Sequence, residues 1–232
     1  RDYYASRGLG DVYKRQYYDC VIVGAGPTGI YACYELMLKR PDLKVLLVDK
    51  GHDIMNRNCP ILNKKIKKCP KDASGHSGCH PSCSMTSGFG GCGAYSDGKF
   101  NITDEFGGWM NQYIEDDEVL DLIKYVDNIN LLHGAPKELT DPTTKEVYEI
   151  ERKGISVGLK LLKSQVRHLG TEINLQVLTS INKKLKEHMD LQFETLVKDL
   201  IIEDGVCKGV ICENGDKIYA TCTVLGLSLI HI

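Results

Sequence analysis

The sequence predicts an α/β protein built on a Rossmann-like parallel sheet, and three observations carry that prediction. A β-branched apolar run, Tyr17–Val23, is followed by a glycine-rich turn, a helical stretch and a second apolar run, Leu43–Val48. Strand, helix and strand in so short a span make a βαβ unit, whose strands lie parallel. From Leu191 onward the chain changes to short apolar or alternating runs separated by turn residues, the pattern of a β-meander. Between these two regions lies a long segment whose apolar residues recur at helical spacing.

Tyr17–Val23 (YYDCVIV) reads as a buried strand. After Gly24–Gly29, the stretch IYACYELMLKR places Ile30, Cys33, Tyr34 and Met37 on one helix face, and Pro41-Asp42 ends it. Leu43–Val48 is the second strand and runs into Asp49-Lys50-Gly51. His52–Phe100 is irregular and rich in Cys, Gly, Lys and Pro; a loop of that length in a compact domain is functional or disordered. Trp109–Asn130 reads as mainly helix, with Val119, Leu120, Ile123 and Val126 on one side and a stop at His133-Gly134-Ala135-Pro136. Asp141–Lys163 reads as a β-hairpin, or a strand followed by a helix. Arg167-His168 opens an amphipathic helix over Thr171–Met189, with Thr171 as its N-cap and Val177, Leu178, Ile181, Leu185 and Met189 in phase. In the meander, Glu203-Asp204-Gly205 and Glu213-Asn214-Gly215-Asp216 are turn signals.

The ends point to a non-natural origin. Ser6–Gln16 reads SRGLGDVYKRQ and the chain closes on LSLIHI. One codon string for DVYKRQ has a reverse complement that translates as LSLIHI, the signature of a sequencing adaptor read through at both ends. Residues 1–16 and 227–232 are therefore expected to be adaptor-derived, flanking part of a longer gene. The remainder divides into an N-terminal cofactor-domain part (17–58), a Cys/Gly-rich loop (59–100), a mostly helical insert (101–190) and the meander (191–226).

Composition narrows the class. A hydrophobic fraction of 42% and a charged fraction of 26% are those of an ordinary globular protein. A formal net charge of -2 provides no field to draw in nucleic acid, and no stretch is apolar enough for a membrane span. The run Lys64, Lys65, Lys67 and Lys68 reads as a solvated loop face. Ten cysteines without an export signal favour reduced thiols or metal ligands and a cytoplasmic setting. A small-molecule substrate is expected; the oligomeric state is not legible.

Gly24-Ala25-Gly26-Pro27-Thr28-Gly29 fits G-x-G-x-x-G and stands in the right context. It follows an apolar strand and opens a helix, and Asp49 ends the next strand. Gly24 permits the tight turn, Gly26 lets a pyrophosphate approach the backbone, and Gly29 lets the helix pack closely on the strand. Pro27 and Thr28 open the helix whose unpaired amides and positive dipole end would meet the phosphates. Asp49 is placed to accept from a ribose diol, with Lys50 beside it. The pattern alone does not separate NAD from FAD.

VIVGAGPTG together with VDKG resembles flavoproteins of the glutathione-reductase-like FAD/NAD(P)-binding class. In that class the βαβ unit holds the ADP part of FAD. The segment from FETLVKDLIIEDG to the end of the meander resembles the same class, which implies that Val197 lies near the adenine through its backbone. SGFGGCGAYSDGKFN, EFGGW, LLHGAP and RHLGTE are similar to a family of poorly characterised bacterial FAD-dependent dehydrogenases, over nearly all of residues 17–226. Two departures are small: Cys92 stands where alanine is more usual, and Asp49 where many flavoproteins have glutamate.

The resemblance implies FAD as cofactor, with NAD(P)H as a candidate electron donor and the substrate unassigned. Gly90, Gly91, Ser96 and Lys99 are then candidates for the diphosphate or ribityl part of the flavin. Arg57 has two readings, a bidentate donor to a flavin phosphate or a solvated surface arginine. Arg167 and His168 are read as helix-end structure or as groups facing flavin or substrate. Cys59, Cys69, Cys79 and Cys83 leave three readings open: a zinc or iron–sulfur site, a redox dithiol, or unrelated thiols. Cys20, Cys33, Cys207, Cys212 and Cys222 read as small core residues. The expected function is an FAD-dependent oxidoreductase. The alternatives are an NAD(P)-binding dehydrogenase with a structural zinc loop and a non-catalytic redox- or metal-sensing flavin module. No catalytic acid or base is assigned.

Overall fold

The computed structural model describes residues 16–71, 78–80 and 82–227. Apart from Gln16 and Leu227, the expected adaptor-derived ends lie outside the described residues. The first unit is β1 (Gln16–Val23), α1 (Pro27–Lys39) and β2 (Val45–Val48). β1 and β2 pair in parallel, with Cys20 opposite Val45 and Val23 opposite Val48. All four residues of β2 are buried, as a strand covered on both faces requires. The predicted face of α1 is the buried one: Ile30, Cys33, Tyr34 and Met37, together with Gly29.

β3 (Lys99–Ile102) follows the irregular loop, then α2 (Asp116–Leu132), α3 (Lys145–Ser156), β4 (Gln165–His168) and α4 (Gly170–Lys186). Four expectations are corrected here. Helix α2 starts at Asp116 rather than Trp109; three acidic residues crowd its first turn, where they complement the positive dipole end. Asp141–Lys163 forms no hairpin; Thr144 caps α3 by accepting from the Val147 amide. Arg167 and His168 lie in β4, antiparallel to β3, with Phe100 opposite Arg167. Thr171 sits inside the first turn of α4, whose N-cap is Leu169. The predicted face of α4 holds: Val177, Ile181 and Leu185 are fully buried, and Leu178 and Met189 pack against them.

The meander follows as β5 (Asp190–Gln192), β6 (Val197–Glu203), β7 (Val206–Cys212) and β8 (Lys217–Leu225). The six-stranded sheet runs β5-β2-β1-β8-β7-β6. β5, β2, β1 and β8 are mutually parallel and β8, β7 and β6 antiparallel, so the chain is a mixed α/β fold. Asp204 (φ 51°) and Gly205 (φ 76°) turn the β6–β7 hairpin; positive φ at both central residues is what matches the strand twist. One core joins α1 and α4 to the sheet through Cys20, Ile22, Val45 and Leu47. A second joins the opposite face, through Val21, Val23, Leu46 and Val48, to Val210, Cys212, Ile218 and Ala220 of the meander. Among the described residues no helix is long and apolar enough to cross a membrane.

Candidate functional site

The first wall of the site is the turn between β1 and α1. Gly24 (φ 103°) donates to the Val48 carbonyl at 2.8 Å. A Cβ on Gly24 would meet the Gly226 carbonyl oxygen at 2.8 Å, and one on Gly29 would meet the Gly24 carbonyl oxygen at 1.9 Å. Those two glycines are demanded by the protein itself. Gly26 differs: a Cβ there would have nothing within 4 Å. Gly26 is the N-cap of α1, contributes no side chain, and is followed by Pro27, which has no N–H. The first-turn amides of Thr28 and Gly29 therefore have no intrahelical acceptor beside open space.

Asp49 binds the neighbouring segments together. Its carboxylate accepts from the amides of Ala25 (2.8 Å), Gly51 (2.7 Å) and Gly88 (2.9 Å). The stretch Gly88–Gly91 thereby becomes the second wall. The Gly90 amide donates to the Ala25 carbonyl at 2.8 Å, and a Cβ on Gly91 would come within 3.3 Å of the Gly26 Cα. Phe89 between them is fully buried and meets Phe193 edge-on.

Arg57 is buried, with 3% of its surface exposed, which excludes the solvated-surface reading. Nε donates to Ser84 O, Nη1 to Phe89 O and Gly91 O, and Nη2 to Met85 O. The guanidinium also lies 5.1 Å from the centre of the Tyr95 ring, and the Tyr95 hydroxyl donates back to the Arg57 carbonyl. Burial lowers its pKa from a high ordinary value. In this structure Arg57 shapes the glycine stretch with donors that a phosphate would otherwise take. Asn174 of α4 adds a support invisible to sequence spacing, donating to Gly93 O (2.8 Å) and Ala94 O (3.3 Å).

The remaining candidates separate. Ser96 Oγ donates to Gly93 O at 2.7 Å and accepts from the Gly98 amide at 3.2 Å. Lys99 Nζ and His168 Nε2 both meet Asp97 at 2.9 Å on an exposed surface. Thr28 and Lys99 line a cavity of about 630 Å³ beside the first turn of α1, together with Tyr31, Phe100, Asn101 and Phe106. The Lys50 carbonyl accepts from Ser82 Oγ at 3.3 Å. Val197 opens β6 opposite Cys212 and packs against the second core. Arg167 is buried and faces neither wall: it holds Asp127 bidentately at 2.6 and 2.7 Å and donates to Pro136 O, an ion pair that joins β4 to α2.

Cys59, Cys69, Cys79 and Cys83 line one cavity of about 240 Å³. Among the described residues, no group of three or more His, Cys, Asp or Glu side chains is arranged to hold a metal ion. Cys20, Cys33 and Cys212 are core residues; burial, then Cys222 and last Asp19, pushes the Cys20 thiol up to about 11, and burial, then Cys20, pushes the Cys33 thiol to about 12. Cys222 is exposed and Cys207 half-buried, which corrects the expectation of core positions for both.

A glycine turn between a central strand and a helix, an acidic residue ending the adjacent strand and a meander returning to β1 together make a mixed α/β fold. Among solved structures, the chain is similar to the 3-ketosteroid-Δ4-(5α)-dehydrogenase of Rhodococcus jostii RHA1, with a TM-score of 0.50 and 15% identity over 92% of this chain and 46% of that one. It is also similar to the E. coli quinol fumarate reductase FrdA, at 0.49 and 13% over 90% of this chain and 32% of that one. Glycine oxidase from Geobacillus kaustophilus gives 0.46 and 14% over 91% and 55%. The chain thus spans about half the length, or less, of these proteins. No protein-family model and no curated protein matches the chain.

Proposed function

We propose that this chain is the FAD-binding part of a flavin-dependent oxidoreductase that acts on a small molecule. The observation that carries the reading is Gly26, which has open space where a side chain would stand. That space lies before the first-turn amides of α1, with Gly91 behind it and Asp49 close by. A diphosphate fits such a cradle because backbone N–H groups and the helix dipole favour an anion. Gly24, Gly26, Pro27, Thr28 and Gly29 would hold the diphosphate, and Gly90 and Gly91 would form its second wall. Asp49 would exchange part of its amide network for ribose hydroxyls. Bound FAD supplies hydride and electron transfer, while the protein binds, orients and shields it. The 630 Å³ cavity beside Thr28 and Lys99 is the place for the reacting end of the substrate. The Rhodococcus jostii protein of similar fold is a 3-ketosteroid-Δ4-(5α)-dehydrogenase, which supports an oxidoreductase reading.

The test is reconstitution of the purified chain with FAD, followed by gel filtration and a visible spectrum. Co-elution of the oxidised flavin bands with protein is expected. Binding of NAD⁺ but not FAD would replace this reading with the nicotinamide one. Assays with NADH and NADPH and an artificial acceptor then identify the electron donor.

A further inference from the structure

Four cysteines of one loop share the cavity bordered by Pro60, Ile61, Leu62, Ile66 and Met85, and the flavin reading makes no use of them. We propose that Cys83 and Cys79 form a thiol–disulfide exchange site that admits small, low-molecular-weight disulfides into this apolar cavity. The two thiols are unequal. Cys83 opens a tight turn in which its carbonyl accepts from Thr86 N (3.1 Å) and Ser87 N (2.9 Å). Burial raises its pKa, but the Met85 and Thr86 donors of that turn and the Arg57 guanidinium together outweigh it, so the net shift is downward. Cys79 is pushed the other way by burial first, and then by Cys83, Cys59 and Cys69 in that order. Cys83 is therefore the more acidic of the two thiols, the inequality that suits an attacking and a resolving thiol. A cavity of about 240 Å³ with apolar walls suits a disulfide with short substituents.

The chemistry balances within the proposal. The Cys83 thiolate attacks one sulfur of RSSR; the S–S bond breaks, RS⁻ leaves and a mixed disulfide remains. Cys79 gives its proton to water and attacks the Cys83 sulfur, expelling the second RS⁻. Two protein thiols are oxidised, one external disulfide is reduced to two thiols, and the protons end on the released thiols. No flavin step is needed.

The whole chain is treated with hydroxyethyl disulfide, quenched with N-ethylmaleimide and mapped by peptide mass spectrometry. The wild type is expected to yield a Cys79–Cys83 linkage and to release both halves of the probe as free thiol. Cys79→Ser should stop at the mixed disulfide on Cys83, and Cys83→Ser should react severalfold more slowly with no new linkage. Even labelling of Cys59, Cys69, Cys79 and Cys83, or a linkage through Cys59 or Cys69 instead, overturns the site. So does native mass spectrometry showing zinc or iron that shields all four thiols. If Cys83→Ser fails to give a native circular dichroism melt, the wild-type map and Cys79→Ser decide the question.

Discussion

The two glycine-rich stretches of this chain do different work and were unequally visible. Gly24–Gly29, between a strand and a helix, carries a local determinant, a Gly24–Gly29 contact too close for any side chain, to which Val48, Asp49 and Gly226 add. Ser87–Phe100 is shaped from a distance. Asp49 accepts its Gly88 amide, Arg57 collects four of its own or adjoining carbonyls, and Asn174 reaches across from α4. Both turns take long-range contacts, but the first also carries its own steric constraint, whereas the second is shaped by side chains placed elsewhere. A ligand surface can be built either by local sterics or by buried polar groups placed elsewhere in the chain.

That contrast can be broken by substitution. Gly29→Ala should have the largest effect, about 4 kcal/mol or more, because the Gly24 backbone has no room to retreat; urea unfolding measures it. Arg57→Met should cost about 3 kcal/mol by stranding buried carbonyls, while leaving the β1–α1 turn intact. Limited proteolysis should then cut within Ser84–Gly98 before it cuts β1 or α1. A uniform loss of protection would show that the two walls are not separable. Gly26→Ala should sharpen the contrast from the other side. Its backbone already has ordinary angles (φ -76°, ψ -176°), so stability should move by no more than about 0.5 kcal/mol while FAD retention falls. Unchanged flavin retention would remove the main support for the cradle.

The smallest predicted effect lies at the end of α2. His133 stands between Tyr34 Oη (3.0 Å) and Ser180 Oγ (2.8 Å), and burial, then Lys184, lowers its pKa from the ordinary value of about 6.5. The folded protein favours the neutral ring, so below that value the unfolded chain binds more protons. Stability should be fully present above about pH 6.5 and fall as pH drops through the lowered folded value. The urea midpoint followed from neutral pH down to about 5 should show this slope, and His133→Gln should flatten it.

Much of the parallel region was legible because its determinants sit within a few dozen residues. Val45–Val48 is continuously apolar, α1 and α4 show clean helical periods, and Asp204-Gly205 is a local turn signal. The insert was less legible. β3 and β4 are short, largely exposed, and paired across more than sixty positions, from Lys99 to His168, so no local period marks them. Arg57 carried no sign in its sequence surroundings that it would be an interior residue.

By itself, then, the sequence determined the βαβ unit, the first glycine turn with Asp49 at the end of β2, and the returning meander. Apolar period and Cβ sterics act over a short window. Only the tertiary structure decided that Arg57 serves carbonyls, that Arg167 pairs with Asp127 and that the four loop cysteines meet at one cavity. A desolvated polar group must find its partners wherever the fold brings them, and that distance is not written in any local pattern.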